Sequence, residues 1–288
     1  MPSLIDFIEE PEVIEKLAPL RPKTARQLSV SLLIEPRSKR YQIVGTAFDY
    51  MLRFELQRRV PTAVARAWVA EQAPALVLRM PTRMKLGDLR ESDDFEPGEV
   101  VDVVGSIVSR AKKFVAAYVR KRELKRSLLA QLAEHAIGLA RLDILCRANW
   151  LAPDLESVGA EDVEDLLRMF DATRFESLIL GHPVLLNPVL GDPATCGADA
   201  DLIAGEYLID LKTSTKAATS SRDLDQLLGY FLLARHRRLA DSSFPEIRKV
   251  GIYYARHGHL REFATAEWTS QPAFLKTEKW FMAHARRR

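Results

Sequence analysis

The chain has few cysteines and no long apolar segment, and each of these shortages excludes a class of protein. Its two cysteines, Cys146 and Cys196, lack the spacing of a metal site, so a four-cysteine iron–sulfur cluster within this chain is excluded. No run of about eighteen uncharged apolar residues occurs, and we therefore expect no membrane-spanning helix. The N-terminal segment is acidic and lacks the basic start of a secretory signal, which favours a cytoplasmic protein.

The chain also carries little net charge for its length of 288 residues. Its formal charge is +3 and its isoelectric point is 8.8, values that permit binding to nucleic acid without requiring it. Hydrophobic residues make up 47% and charged residues 28% of the sequence, the proportions of an ordinary globular protein. Evidence for function must therefore come from local patterns.

A candidate β-hairpin lies between residues 197 and 213. Two short apolar runs flank a glycine-containing turn, which predicts two strands joined by a tight connection. Side chains alternate between the faces of a strand, so Asp210 and Lys212 on the second strand share a face. Asp199 and Asp201 share a face of the first strand for the same reason.

Two registers are open for this hairpin. If the turn is Ala204-Gly205, Asp210 faces Asp199 across the strands; if the turn is Gly205-Glu206, Asp210 faces Asp201. In both registers three carboxylates and one lysine gather on one side of the hairpin. A solvated surface hairpin that carries these charges by chance is the alternative interpretation.

Such a group of residues has the chemistry of a magnesium-dependent phosphodiesterase. Carboxylates supply the oxygen ligands that a divalent cation prefers, and magnesium keeps several bound waters. The ion polarises a phosphate and lowers the pKa of a bound water. A neighbouring lysine can orient that water or neutralise charge on the phosphate. The pattern therefore predicts hydrolysis of a phosphodiester.

The order of these residues resembles the signature of the PD-(D/E)XK nuclease superfamily. Asp210-Leu211-Lys212 matches its D/E-x-K element, and Asp201 or Asp199 matches its first acid. The proline of the family name is absent before either acid, a departure that is common in the superfamily. Asp201 is favoured as the primary acid because it directly precedes the apolar Leu202-Ile203, as the first acid does in the family pattern.

A second element is similar to the RecB-like group of that superfamily. Gln226-Leu227-Leu228-Gly229-Tyr230 matches its Q-x-x-x-Y motif, which lies on the helix after the catalytic hairpin. Gln226 and Tyr230 are one helical turn apart and therefore share a face. An amphipathic helix with a polar rim is the other interpretation, but the position of the motif after Asp-x-Lys favours the resemblance.

The resemblance also implies a first core helix that opens with a glycine and carries an acid or histidine for the metal. The segment Gly45-Thr46-Ala47-Phe48-Asp49 is similar to that opening, with Asp49 where the histidine commonly stands. Glu55 is the other acid that can serve from the same helix. Alternatively, Asp49 pairs with Arg53 at i,i+4 and has only a structural role.

The fold that this resemblance implies is α/β, with a restriction-endonuclease-like αβββαβ core, a mixed central sheet and a large helical insertion. We expect one compact unit overall. Residues 1–60 are expected to hold the N-terminal helices and the first core helix, and residues 61–179 the insertion. Residues 180–288 are expected to hold the core sheet, the Q-x-x-x-Y helix and a C-terminal helix.

The activity that the resemblance implies is metal-dependent cleavage of nucleic acid, with DNA as the expected substrate and magnesium or manganese as the cofactor. The implied metal ligands are Asp201, Asp210, Asp199, the carbonyl of Leu211, and Asp49 or Glu55. Lys212 is expected to position the attacking water or stabilise the transition state. Gln226 and Tyr230 are expected to shape the path of the strand and to hold Lys212. A nuclease-fold protein without catalysis, acting in nucleic-acid binding or complex assembly, is the alternative.

A basic segment supplies further candidate contacts to nucleic acid. Residues 110–126 hold eight basic residues and one acid in a predicted helix. Such a strip can follow the phosphates of a backbone, with an affinity that falls as salt rises. A solvated helix face is the alternative. The expected contacts are Lys112, Lys113, Arg120, Lys121 and, from a later turn, Arg256.

Overall fold

The chain folds into two compact units. The computed structural model of the protein describes residues 3–22, 28–79, 97–151, 154–191 and 195–287, without the side chains of residues 97 and 99. The first unit, called the sheet unit, comprises Met1–Leu33, Thr62–Ala65 and Arg174–Arg288. The second, called the helical unit, comprises Ile34–Pro61 and Arg66–Thr173.

Ten α-helices occur in the described part of the chain. They are α1 (Leu4–Ile8), α2 (Pro11–Leu17), α3 (Tyr41–Arg59), α4 (Ala73–Val77), α5 (Pro97–Tyr118), α6 (Arg126–Ala148), α7 (Ala160–Ala172), α8 (Ser221–Ala240), α9 (Ala266–Thr269) and α10 (Phe274–Ala285). Short 3-10 helices cover Ala18–Leu20, Val69–Gln72, Phe175–Ser177 and Ala255–His257. Among the described residues, no helix combines the length and the apolar character needed to cross a membrane.

Among the residues that the structure describes, six strands form one mixed sheet whose order follows the chain. They are β1 (Val64–Ala65), β2 (Val184–Leu186), β3 (Leu202–Ala204), β4 (Tyr207–Lys212), β5 (Lys249–Tyr254) and β6 (His259–Ala264). Strands β2, β3 and β4 pair antiparallel, and β5 lies parallel to β4 because α8 carries the chain back across the sheet. Strand β1 is parallel to β2, and β6 is antiparallel to β5. The predicted α/β fold with a mixed sheet is confirmed.

The turn between β3 and β4 selects one of the two predicted registers. Ala204 pairs with Tyr207, so the two turn residues are Gly205 and Glu206. Gly205 has a φ of 61°, a left-handed conformation that glycine adopts without steric cost. A Cβ atom there would lie 3.0 Å from the Cα of Gly181, so a side chain has no room. The register that follows brings the chain before β3 alongside Asp210.

Helix α8 starts at a side-chain cap that its sequence encodes. The Ser220 hydroxyl accepts a hydrogen bond from the Asp223 amide at 3.1 Å, and the Asp223 carboxylate accepts one from the Ser220 amide at 2.7 Å. The buried apolar residues of α8 then join one core with the sheet. These are Leu224, Leu227, Leu228 and Phe231 from the helix, with Leu208, Val250 and Ile252 from the strands. Each such side chain contributes about 1.5–3 kcal/mol when fully buried.

Helix α3, predicted to be the first helix of the nuclease core, belongs to the helical unit. Its main partners are α6 and α7, and α5 also contacts it. The chain therefore divides differently from the predicted single compact unit with boundaries at residues 60 and 179. The amphipathic pattern of α3 correctly indicates that one face of the helix is buried. Such a pattern does not identify the element that packs against that face.

Candidate active site

The predicted hairpin acids lie where β3 and β4 stop pairing. The last paired residues are Leu202 and Ile209, and Asp201 immediately precedes that pair on the first strand. Beyond the last backbone pair, the Asp201 side chain links the two strands, since its Oδ2 accepts a hydrogen bond from the Leu211 amide at 2.7 Å. The carbonyl of Leu211 points to the same edge of β4 as its amide, because both groups of a strand residue do so. Asp201 and this carbonyl are thus oxygen donors at one edge.

Lys212 lies among three oxygen-bearing side chains. Its Nζ is 3.1 Å from Asp210 Oδ2, 3.2 Å from Gln226 Oε1 and 3.6 Å from Asp223 Oδ1. Burial lowers the pKa of the Lys212 ammonium, but the carboxylates of Asp210 and Asp223 outweigh burial and raise the pKa above its ordinary value. The lysine therefore stays charged at neutral pH.

Gln226 connects the lysine, the acid and the tyrosine of the site. Its Oε1 accepts from Lys212, while its Nε2 donates to Asp210 Oδ1 at 3.0 Å and to the Tyr230 hydroxyl at 2.9 Å. The side chain is only 8% exposed, so these bonds form away from bulk water. A carboxylate at this position would repel Asp210 instead of donating to it. The amide therefore fixes both ends of the Asp-x-Lys element.

Tyr230 is a buried neutral hydroxyl in a field of carboxylates. Burial raises its pKa well above the ordinary value, and the charges of Asp210, Asp201 and Asp199 add to that rise. All three predicted hairpin acids thus act on one hydroxyl group. The tyrosine keeps its proton at any physiological pH and serves as a hydrogen-bonding support for Gln226.

Replacement of Tyr230 by phenylalanine is expected to lower the free energy of unfolding by about 0.5–1.5 kcal/mol. The buried acceptor of the Gln226 amide is lost, while the ring and its packing remain. Urea denaturation measures the change. Tyr207→Phe is the matched control because its hydroxyl accepts from Lys249 on a half-exposed strand, and its effect should stay within about 0.5 kcal/mol. Equal effects of the two substitutions would contradict a buried role for the Tyr230 hydroxyl.

Asp223 belongs to the site although the sequence patterns did not indicate it. It lies on α8 three residues before Gln226 and seven before Tyr230, so the three share a helical face. Its other contacts are those of the helix cap. The Ser-x-x-Asp capping signature at residues 220–223, read together with the helical spacing, is the signal that could have found it.

The remaining predicted metal ligands have different surroundings. Asp199 is half-buried, bridges to Val189 through its backbone, and acts electrostatically on Tyr230. Asp49 and Glu55 both lie on α3 in the helical unit. Asp49 Oδ2 is 2.5 Å from the Arg53 guanidinium, as the structural interpretation predicted, and burial raises the pKa of Asp49.

Glu55 is wholly buried in a network of its own. Its carboxylate accepts hydrogen bonds at 2.7 Å from Arg58, from Arg59 and from the Tyr118 hydroxyl. These donors occupy both of its oxygens. The carboxylate is therefore a structural acid of the helical unit, and its predicted alternative role as a metal ligand is corrected.

The predicted nucleic-acid contacts divide into exposed and buried residues. Lys113, Arg120 and Lys121 are exposed, and Lys112 is exposed but bonded to the Glu71 carboxylate. Arg256 is only 1% exposed, and its Nε donates to the Thr213 carbonyl at 2.8 Å. A phosphate cannot reach a guanidinium buried in this way. The prediction for Arg256 is therefore corrected: its side chain holds the segment that follows β4.

The side chains predicted as metal ligands offer carboxylate oxygens, the donor type that magnesium prefers. Magnesium in phosphate-cleaving sites is held by one or two carboxylates and keeps several waters. Of the predicted oxygen ligands, Asp201 contacts the Leu211 amide, and Asp210 contacts Lys212 and Gln226. Within the described residues, no three histidine, cysteine, aspartate or glutamate side chains converge to hold an ion. Comparison of the chain with known proteins found no matching family model, no matching curated protein and no matching solved structure.

Proposed function

We propose that the protein is a metal-dependent nuclease that hydrolyses phosphodiester bonds of nucleic acid, with DNA as its expected substrate. The observation that carries the proposal is the continuous chain of contacts from Lys212 through Gln226 to Asp210 and Tyr230. It joins, at hydrogen-bonding distance, the residues of two motifs that the sequence matched separately. A chance surface hairpin gives no reason for this convergence.

The strand order of the sheet supports the same proposal. The antiparallel strands β2, β3 and β4, the crossover helix α8 and the parallel strand β5 follow the order βββαβ. That order is the part of the restriction-endonuclease-like core that carries the Asp-x-Lys hairpin and the Q-x-x-x-Y helix. The proposed site also lies at the end of β4, where ligands of such open sheets commonly bind.

The residues of the site have distinct proposed roles. Asp201, Asp210 and the Leu211 carbonyl would hold a divalent cation, which when bound polarises a phosphate and acidifies a coordinated water. Lys212, charged at neutral pH, places a cation where negative charge develops on the reacting phosphate. Gln226 holds Lys212 and Asp210 in position through hydrogen bonds to both, and the Tyr230 hydroxyl accepts a further hydrogen bond from Gln226.

Cleavage that depends on added metal is the direct test of the proposed function. The purified chain is incubated with linear duplex, circular duplex, single-stranded DNA and RNA, in magnesium, manganese or EDTA. We expect shortened products with magnesium or manganese and none with EDTA, because the two carboxylates require a cation to engage a phosphate. Binding of these nucleic acids without cleavage under any metal would overturn the proposal in favour of a non-catalytic role.

A further inference from the structure

The connection between α5 and α6 concentrates positive charge that has no acidic partner. This connection, called the basic loop, covers residues 119–125 and presents four exposed cations and one acid, Glu123. Within the described part of the chain, none of these four cations forms an ion pair with a carboxylate. They are Arg120, Lys121, Arg122 and Lys125.

Neighbouring cations of the same basic segment are neutralised. Arg110 pairs with Glu156 at 2.6 Å, Lys112 pairs with Glu71, and Arg126 pairs with Asp171 at 2.6 Å. These pairs lie on either side of the basic loop. The eight basic residues of the predicted strip therefore fall into two groups. Some are paired with carboxylates of the protein, and others are available to another molecule.

Hydrogen bonds from Arg58 of α3 and from the end of α5 hold the backbone of the basic loop at Lys121. The buried Glu55 carboxylate accepts hydrogen bonds from the hydroxyl of Tyr118, the last residue of α5, and from Nε and Nη2 of Arg58. Arg58 Nη1 in turn donates to the carbonyl of Lys121 at 3.1 Å, and the Lys121 amide donates to the Tyr118 carbonyl at 2.9 Å. The turn that carries Arg120 and Lys121 is therefore anchored, so a ligand would meet a backbone that is already shaped there.

The charge arrangement is unfavourable for the protein alone. Four cations within seven residues repel one another, and Lys125 stands at the N-terminal end of α6, where the helix dipole disfavours positive charge. The first turn of α6 contains no acid that would offset this effect. An anion bound over the loop would remove the repulsion, and the repulsion is an independent reason to expect a polyanionic partner.

We propose that the basic loop binds the phosphates of a nucleic-acid backbone without regard to base sequence. Apolar anchors beside the cations would strengthen binding to a membrane surface or to a protein partner. None of the large exposed hydrophobic side chains in the described residues lies between Arg110 and Leu129. Phosphates of a backbone need only cations. The choice of nucleic acid among polyanions rests on the proposed function of the protein.

The test is binding of a short fluorescent DNA duplex in EDTA, measured by anisotropy at several salt concentrations. The variant Arg120→Ser/Lys121→Ser/Arg122→Ser removes three loop cations. We expect its affinity at moderate salt to fall about 10- to 100-fold, and the slope of log K against log salt to shrink by about 0.9 for each lost contact. The control Lys276→Ser/Lys279→Ser/Arg287→Ser removes three exposed cations of the sheet unit and should bind like wild type.

Each remaining outcome decides the inference. Equal weakening by both triple variants, or an unchanged salt slope in the loop variant, overturns the basic loop as a site. Tighter binding to phosphatidylserine vesicles than to the duplex, lost in the loop variant, overturns nucleic acid as the partner. Because the assay is run in EDTA, loop-dependent binding by a chain that never cleaves would refute the proposed nuclease activity alone. Thermal unfolding followed by circular dichroism verifies that both variants are folded.

Discussion

Asp210→Asn is expected to reduce metal-dependent cleavage by about 10³-fold or more, to the level of a preparation without nuclease. The amide has the shape of the acid, so the strand and its packing persist. It removes the negative charge that a cation requires and that Lys212 faces at 3.1 Å. It also places an amide where the Gln226 Nε2 now donates. Initial rates on duplex DNA with magnesium, for wild type and variant purified in parallel, measure the loss.

The matched control for this substitution is Asp241→Asn. Asp241 follows the last residue of α8, and its carboxylate is exposed. Gln226 lies near the other end of the same helix. The only expected effect of the control substitution is on the short turn that Asp241 forms with Ser243. We expect this variant to cleave at the wild-type rate. Wild-type cleavage by Asp210→Asn would show that the hairpin is not the active site.

Glu55→Gln is expected to lower the free energy of unfolding by about 3–5 kcal/mol, the usual cost of breaking a buried ion pair from one side. Glu55 is 0% exposed and accepts hydrogen bonds from two arginines and a tyrosine. A glutamine has the same shape but lacks the charge, so Arg58 and Arg59 lose their acid. Urea unfolding followed by circular dichroism measures the change. A loss below about 1 kcal/mol would contradict a buried, fully engaged carboxylate.

The pH dependence of stability distinguishes this loss from a general weakening of the helical unit. Burial raises the pKa of Glu55, but hydrogen bonds from Arg58, Tyr118 and Arg59 outweigh it, and the pKa in the folded state is lowered. A lowered pKa means stability that is present above the ordinary value of 4.5 and is lost as the pH falls through the folded-state pKa. Glu55→Gln should lack this part of the acid dependence. The control Glu134→Gln, an exposed position on α6, should retain it.

The local chemistry of the site could be predicted because it depends on short sequence distances. Alternation along a strand places Asp210 and Lys212 on one face, and a four-residue helical spacing places Gln226 and Tyr230 together. The choice between the two hairpin registers needed the structure, because both turns contain Gly205. The observed pairing of Ala204 with Tyr207 makes Gly205 and Glu206 the turn, with Gly205 packed against Gly181.

Contacts between distant parts of the chain could not be predicted. The pairing of Asp49 with Arg53 follows from a spacing of four residues, but the hydrogen bond between Tyr118 and Glu55 spans sixty-three. The basic segment likewise reads as a uniform strip, although Glu71, Glu156 and Asp171 neutralise part of it from elsewhere in the helical unit. Charge counts along a sequence do not reveal which cations are already paired.

The tight packing of the Gly205 turn also limits whether residues can be inserted between β3 and β4. The turn amide donates to the Pro183 carbonyl at 2.9 Å, and the turn has no space for a side chain against Gly181. An inserted residue that could not bulge there would slip β4 by one position and carry Asp210 and Lys212 to the opposite face of the sheet. Among relatives of this protein, the length of the hairpin turn should therefore vary as little as the residues of the site.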